Sequence, residues 1–420
     1  MKNNSTKQFL GTDTRVIVLG IARMADAVGN SFLVVVLPLY IASGQIKGDF
    51  FGLTESLITG IVIGLFGLIS SFCQPLTGRL SDKLGKRKFF VMLGLFLFMI
   101  ANFLYSFAHS YTFLLLIRAA QGIAAALTIT ATLALVSEVS TEKNRGGNMG
   151  VYNAFRLIGF GVGPLVSGVL VESGPYTLPL IGTINGFVAA FIIAALAPLV
   201  SLILVSLFVK DPIDTKPSSE GIIINFKSKI PGKILDPIFT LGIATMFMSM
   251  GFALLAPIEL EVNARLSQGP FLFSIEFSAL IASLAIFQPI VGKASDIYGR
   301  KVFIVTGLIC LIPIVLLEGM ATAPWHMIVS RALHGISAAM VFAPALALAG
   351  DLAKKGQVGA QLSVLTVAFG LGISLGAFLT GYAIRFGFAI PFIIGSVLAG
   401  IGAILVYTQV PNHHKQTSQS

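Results

Sequence analysis

Charge is what this sequence has least of. Only 11% of its 420 residues are Asp, Glu, Lys or Arg, against about 25% in an ordinary soluble domain. With 55% hydrophobic residues and a mean hydropathy of +0.90, that shortage excludes a soluble globular protein. Cysteine is nearly missing too. Cys73 and Cys310 lie in or beside apolar runs in opposite halves, which argues against a disulfide framework and leaves two small packing thiols. No G-x-x-x-x-G-K-[ST] phosphate loop occurs, no Cys/His cluster has metal-ligand spacing, and no nucleophile is set beside a base. The chain is therefore not read as an enzyme and needs no cofactor or metal. The polar start MKNNSTKQFLGTDTR lacks a cleavable-signal pattern, so the first apolar run is expected to stay as a span.

What is present is a series of apolar runs, each of roughly 20 residues or more and so long enough to cross a hydrocarbon core. Twelve are expected, at 16–42, 55–77, 89–108, 112–138, 148–172, 180–209, 235–262, 273–292, 302–319, 325–350, 358–384 and 388–408. The longest polar stretch, Lys210 to Lys233, carries three prolines and eight charges and reads as a linker. The expected organisation is a first six-helix half over 1–209, a cytoplasmic linker over 210–234 and a second half over 235–420. The net charge of +10 does not mark a nucleic-acid binder, because the basic residues cluster on alternate loops. With both termini inside, the inner segments hold 21 Lys and Arg and the outer loops three (Lys47, Arg265, Arg385). That asymmetry predicts cytoplasmic termini in a multi-pass protein of the plasma or inner membrane.

The two halves repeat one another. QPLTGRLSDKLGKRK (Gln74 to Lys88) returns as QPIVGKASDIYGRK (Gln288 to Lys301), with Asp82 and Gly85 matched by Asp296 and Gly299 at an offset of 214. Arg118, Gly122 and Glu138 are matched by Arg331, Gly335 and Asp351 at 213, as are Gly159, Gly163 and Gly168 by Gly372, Gly376 and Gly381. A near-constant offset across several spans means one six-helix unit used twice in parallel orientation. The expected fold is all-α and membrane-integral, with twelve transmembrane helices as two parallel six-helix repeats around a central cavity.

The loop sentence GRLSDKLGKRK and its second copy GKASDIYGRK resemble the signature between helices two and three of the major facilitator superfamily, and the resemblance runs over nearly the whole chain. Gly78 and Gly85 would allow a tight turn and close helix approach. The resemblance implies that Asp82 sits at the N-terminus of the eleventh helix, near Gln357 to Gln361, where the helix dipole favours a negative charge. Lys86 is expected to face Glu138, with Asp296, Arg300 and Asp351 in the same roles in the second copy. These groups are read as cytoplasmic latches that open and close.

Four arginines lie inside spans: Arg23, Arg118, Arg156 and Arg331. A charge in a span is costly and should face water or a partner. Asp26 reads as the one carboxylate well inside a span, with Arg23 and Asn30 on the same face of helix one at i−3 and i+4. Asp26 with Arg23 or Arg118 is the expected proton-coupling group, since a carboxylate beside a cation can take up a proton in one state and release it in another. The alternative is a permanent structural pair. The Asp-Ala-x-Gly segment from Asp26 and Pro38 resemble helix one of tetracycline-type drug/proton antiporters.

Helix five holds Gly159, Gly163, Pro164 and Gly168, small residues that let helices approach and a proline that bends. The pattern resembles the motif of family members that exchange substrate against protons. Asn30, Gln121, Arg156, Arg331 and His334 are the expected substrate-cavity residues, although packing is the blander role for His334. Together the residues and the resemblance imply a secondary transporter driven by an ion gradient: a proton-coupled antiporter exporting small molecules, multidrug or metabolite, as a monomer in the lipid bilayer. Its partners would be a small-molecule substrate and protons. A facilitator or proton symporter for a sugar or organic acid is the runner-up, and a transport-inactive receptor on the same fold the outside alternative.

Overall fold

In the computed structural model, the described residues are 8–9, 12–48, 50–140, 145–179, 182–211, 225–228, 230–353 and 358–411. Among them, twelve helical stretches are long and apolar enough to cross a membrane. They are α1 (Thr14–Ala42), α2 (Glu55–Leu84), α3 (Arg87–Leu104), α4 (Tyr111–Glu138), α5 (Arg145–Ser173), α6 (Gly186–Phe208), α7 (Pro237–Met250) with α8 (Glu259–Leu266), α9 (Pro270–Tyr298), α10 (Arg300–Gly319), α11 (Pro324–Leu352), α12 (Val358–Ala383) and α13 (Ile390–Gln409). Helices suit the sequence because a span must satisfy its own backbone polar groups. Their starts are written locally. Thr54, Ser110 and Asn185 each accept a backbone N–H at the start of α2, α4 and α6, and Asp236 caps α7 with Pro237 following it. Lipid-facing faces show as apolar stripes at helical spacing, such as Leu196, Val200, Ile203 and Leu207, all exposed on α6.

Two of the expected ends are moved. α2 runs seven residues past 77, through the charged sentence, and α9 runs to Tyr298. The turn that stops α2 is Gly85 alone, in the left-handed region at φ 62° with its N–H on Ser81 O. Gly78 is helical, and a Cβ there would sit 3.8 Å from Thr130, so it is not a turn residue. Gly299 repeats the stop at φ 101°. The seventh span is broken: α7 ends at Met250, 3-10 turns cover Gly251–Ala253 and Ala256–Ile258, and α8 resumes at Glu259.

The described residues pack as two compact units. One takes in 1–58, 65–219 and 269–278, the other 59–64, 220–268 and 279–420. In the first, the core joins Val16, Leu19 and Ala22 of α1 to Phe90, Val91 and Leu95 of α3, Ala131 and Leu135 of α4, Tyr152 of α5 and Val205 of α6. The segment 269–278 belongs here through Ser278, which donates to Gly161 O, and Glu172, whose carboxylate accepts the N–H of Phe271 at 2.8 Å. In the second unit, Ser374 Oγ donates to Gly64 O. Much of the expected linker, and Gln357 in the expected partner of Asp82, lie outside the described residues.

Candidate functional site

The first unit gathers charge on α1 and α5. α5 lies flush on α1 because its glycines leave no side chain between them. A Cβ at Gly159 would come 2.5 Å from Met24 O, and one at Gly163 would run into Ser31 Oγ. Ser31 Oγ itself donates to Gly159 O at 3.2 Å. Gly168 makes room for Ser274 in the same unit, and the Pro164 carbonyl, on the next turn, accepts from Ser167. On α1 itself Asp26, 1% exposed, forms an ion pair with Arg23. Tyr152 and Arg156 of α5 lie within electrostatic reach of Arg23. Arg156 donates to Asn153 at 2.9 Å, and Tyr152 shares a 2.6 Å hydrogen bond with Thr132 of α4. Asn30 stands half-buried one turn beyond Asp26 on α1. The cluster therefore carries two guanidinium groups and one carboxylate.

Arg118 has a different surrounding. Among the described residues Arg23, not Arg118, is the ion-pair partner of Asp26. The Arg118 guanidinium donates to Gln121 Oε1 at 3.1 Å and lies over the Phe66 ring. Tyr105 donates to the same oxygen at 2.7 Å, Gln121 donates to Asn102, and Asn102 closes the chain on Ala194 O. The network is fully buried and hydrogen-bonded from end to end.

The second unit repeats this arrangement with other side chains. Arg331 and His334 stand at the positions of Arg118 and Gln121, and the position of Tyr105, advanced by 213, is Glu318. His334 Nδ1 lies 2.9 Å from Glu318 Oε1, and Arg331 Nη1 lies 3.7 Å from the same atom; all three residues are 0% exposed. Arg331 also donates to Gly251 O and Phe252 O, in the 3-10 turn where the seventh span breaks. A cation there is favourable at the C-terminal end of α7. Gly251 is required, because a Cβ would fall 2.8 Å from His334 Nε2.

Asp26 lies nearest the middle of its helix, but it is not the only buried carboxylate among the described residues. Glu318, Glu259 and Glu276 are fully buried as well. Glu318 is hidden in sequence by the apolar run LICLIPIVLLEGM, and the constant repeat offset is the signal that finds it.

The charged sentences form ion pairs through arginine. Arg87 reaches Asp82 Oδ1 at 2.8 Å and Glu138 Oε1 at 2.6 Å, so the expected Lys86–Glu138 contact is replaced by its neighbour's. In the second copy Arg300 pairs with Asp296 at 2.8 Å and with Asp351. The basic pair is written Lys-Arg in one copy and Arg-Lys in the other. Both use the arginine, whose planar fork can bridge two carboxylates where an ammonium is a point charge. Cys73 and Cys310 are free and half-buried.

The sequence profile of the Major Facilitator Superfamily matches residues 19–258 and 238–420. The chain belongs to that superfamily. As a member it is a membrane transporter and not an enzyme, all-α with two repeated halves. Among its relatives is an uncharacterized transporter of the superfamily from Methanocaldococcus jannaschii, 22% identical over 95% of this chain and 98% of that one. The quinolone resistance protein NorA of Staphylococcus aureus is 25% identical over 91% and 93% of the two chains. Two solved structures share the fold. A bacterial homolog of the human lysosomal transporter Spinster, inward-facing and occupied, has a TM-score of 0.76 at 14% identity, over 93% of this chain and 95% of the other. The human organic anion transporter MFSD10 has a TM-score of 0.67 at 19% identity, over 94% and 99%.

Proposed function

We propose that this transporter is a proton-coupled antiporter that exports small organic molecules across the cell membrane, a monomer in the bilayer with both termini cytoplasmic. The observation that carries the reading is Asp26, buried near the middle of α1 and paired with Arg23. Twelve residues from the start of α1, it lies about 18 Å along the helix. Protonating Asp26 removes its attraction for Arg23. Binding of the proton therefore biases whichever conformation keeps the pair apart. The full-length similarity to a quinolone resistance protein supports drug or metabolite efflux. The latches formed by Arg87 and Arg300 are the groups to release and reform as access alternates.

The charge count of the same cluster favours substrates with an anionic group. Arg23 and Arg156 stand within reach of one another with a single carboxylate, Asp26, beside them, and an anion would settle the surplus. This surplus also supports the second reading, an organic-acid symporter or facilitator.

The deciding experiment is proton flux in proteoliposomes loaded with a pH dye, with wild type and Asp26→Asn, challenged with quinolones, lipophilic cations and small organic acids. Antiport predicts that a transported compound dissipates an imposed proton gradient in wild type and not in Asp26→Asn. Substrate movement without any proton flux in wild type would leave a facilitator, with Asp26 a structural partner.

A further inference from the structure

We infer that Glu318, held by His334 and Arg331, is a second proton-binding site, built into the second unit and separate from Asp26. The argument begins with the repeat. One fold unit used twice needs a polar bridge between the third and fourth helices of each half. In the first copy Tyr105 and Gln121 make that bridge with groups that stay neutral at any physiological pH. In the second copy Glu318 and His334 stand at the same two positions. Packing alone is therefore met without ionisable groups, as the first copy demonstrates. An exchange of phenol and amide for carboxylate and imidazole adds one property, the capacity to take up and give back a proton.

The geometry shows where the proton goes. Glu318 Oε1 is in hydrogen-bond contact with His334 Nδ1, which donates when Glu318 is ionised, while Glu318 Oε2 is buried with no hydrogen-bond partner among the described residues. His334 Nε2 is likewise unpartnered and abuts Gly251. A proton on Nε2 would set an imidazolium three residues from the Arg331 guanidinium on the same helix, fully buried. A proton on Oε2 neutralises the carboxylate instead and adds no second charge beside Arg331.

The surrounding elements carry few competing charges. α7, α12 and α13 contain no Asp, Glu, Lys, Arg or His. α10 carries Arg300 and Lys301 at its far end and α11 carries His326 and Asp351 at its two ends. α8 carries Glu259, Glu261 and Arg265, the last donating to Ala321 O, three residues past Glu318. α9 carries Glu276, four residues before Leu280, whose carbonyl meets Gly335 of α11, and Lys293 and Asp296 near its other end.

Uptake has a mechanical consequence. With Glu318 ionised, its charge steadies Arg331, which holds Gly251 O and Phe252 O at the break in the seventh span. With Glu318 protonated that anchor weakens, and the seventh span is freer to move at its break. The use of the site in transport rests on the proton-coupled reading above, but its protonation is measured without substrate. A failure of either claim therefore leaves the other testable.

The experiment is infrared difference spectroscopy of the purified full-length protein, neutral minus acid, following the carbonyl stretch of a buried protonated carboxylic acid. The expected result is a band that grows as pH falls and contains a component that persists in Asp26→Asn and is lost in Glu318→Gln. In His334→Gln, which copies the first unit, its midpoint should move by about one pH unit, a tenfold change in proton affinity. A band unaltered in Glu318→Gln overturns the proposal. Should that variant not fold, an unmoved midpoint in His334→Gln overturns it equally.

Discussion

Tyr105 and Glu318 lie 213 residues apart and present an oxygen to the same neighbour position, Tyr105 to Gln121 at 2.7 Å and Glu318 to His334 at 2.9 Å. The first contact joins a phenol to an amide, the second a carboxylate to an imidazole. Tyr105→Phe should therefore destabilise the protein by about 1–2 kcal/mol, the value of one buried hydrogen bond. The shape of its stability-against-pH curve should not change. Thermal unfolding in detergent across a pH series checks this. A Tyr105→Phe curve that changes shape would mean the first network also titrates through its neighbours.

The Arg23–Asp26 pair makes a sharper claim. Removing one member of a buried ion pair leaves an uncompensated charge and typically costs about 3–5 kcal/mol. Arg23→Gln should fall in that range, and Arg23→Gln with Asp26→Asn should recover much of the loss. Arg118→Gln should show no such recovery with Asp26→Asn, because Arg118 is engaged with Gln121. A double-mutant cycle on each pair measures the difference. Equal coupling in both cycles would show that Asp26 is shared between the two arginines.

Much of this was legible in sequence. The apolar runs, the repeat offset and the charge clusters located twelve spans and the carboxylates of both charged loop clusters, because length and periodicity are properties of the chain alone. Three things were not. Spacing could not choose between Lys86 and Arg87 as the partner of Glu138, since adjacent residues differ by 100° of helical turn and the choice depends on how α3 sits on α4. Nor could it show that α2 continues through a charged segment, because polar residues past a membrane edge are compatible with helix as well as loop. Glu318 was missed because a single carboxylate near the end of an apolar run looks like a span boundary. Its burial is decided by packing against α11 and the broken seventh span, which the local apolar run does not reveal.

The two loop ion-pair clusters test the arginine rule. Arg87→Ala should lose about 1–3 kcal/mol, as expected for a partly shielded double ion pair. Lys86→Ala should change stability by no more than about 0.5 kcal/mol. In the second copy the order reverses: Arg300→Ala should be damaging and Lys301→Ala mild. Transport assays in proteoliposomes should follow the same ranking. If Lys86→Ala proves as harmful as Arg87→Ala, the lysine takes a share of Glu138 in another conformation of the cycle.

Glycines along α5 divide into two kinds, and one helix can serve as its own control. Gly159 faces Met24 O, with room for hydrogen but not for carbon, whereas nothing lies within 4 Å of where a Cβ at Gly150 would be. Gly159→Ala must push α5 off α1 and should cost about 1–3 kcal/mol, the usual penalty of overpacking. Gly150→Ala should stabilise by up to about 1 kcal/mol, because alanine is the better helix former and meets no obstacle. The pair separates helix propensity from helix contact. Since α5 also brings Arg156 within electrostatic reach of Arg23, the partner of Asp26, Gly159→Ala should impair transport beyond its effect on stability, and Gly150→Ala should leave it intact. Equal transport in the two variants would mean that the α1–α5 spacing tolerates adjustment without disturbing the charged cluster.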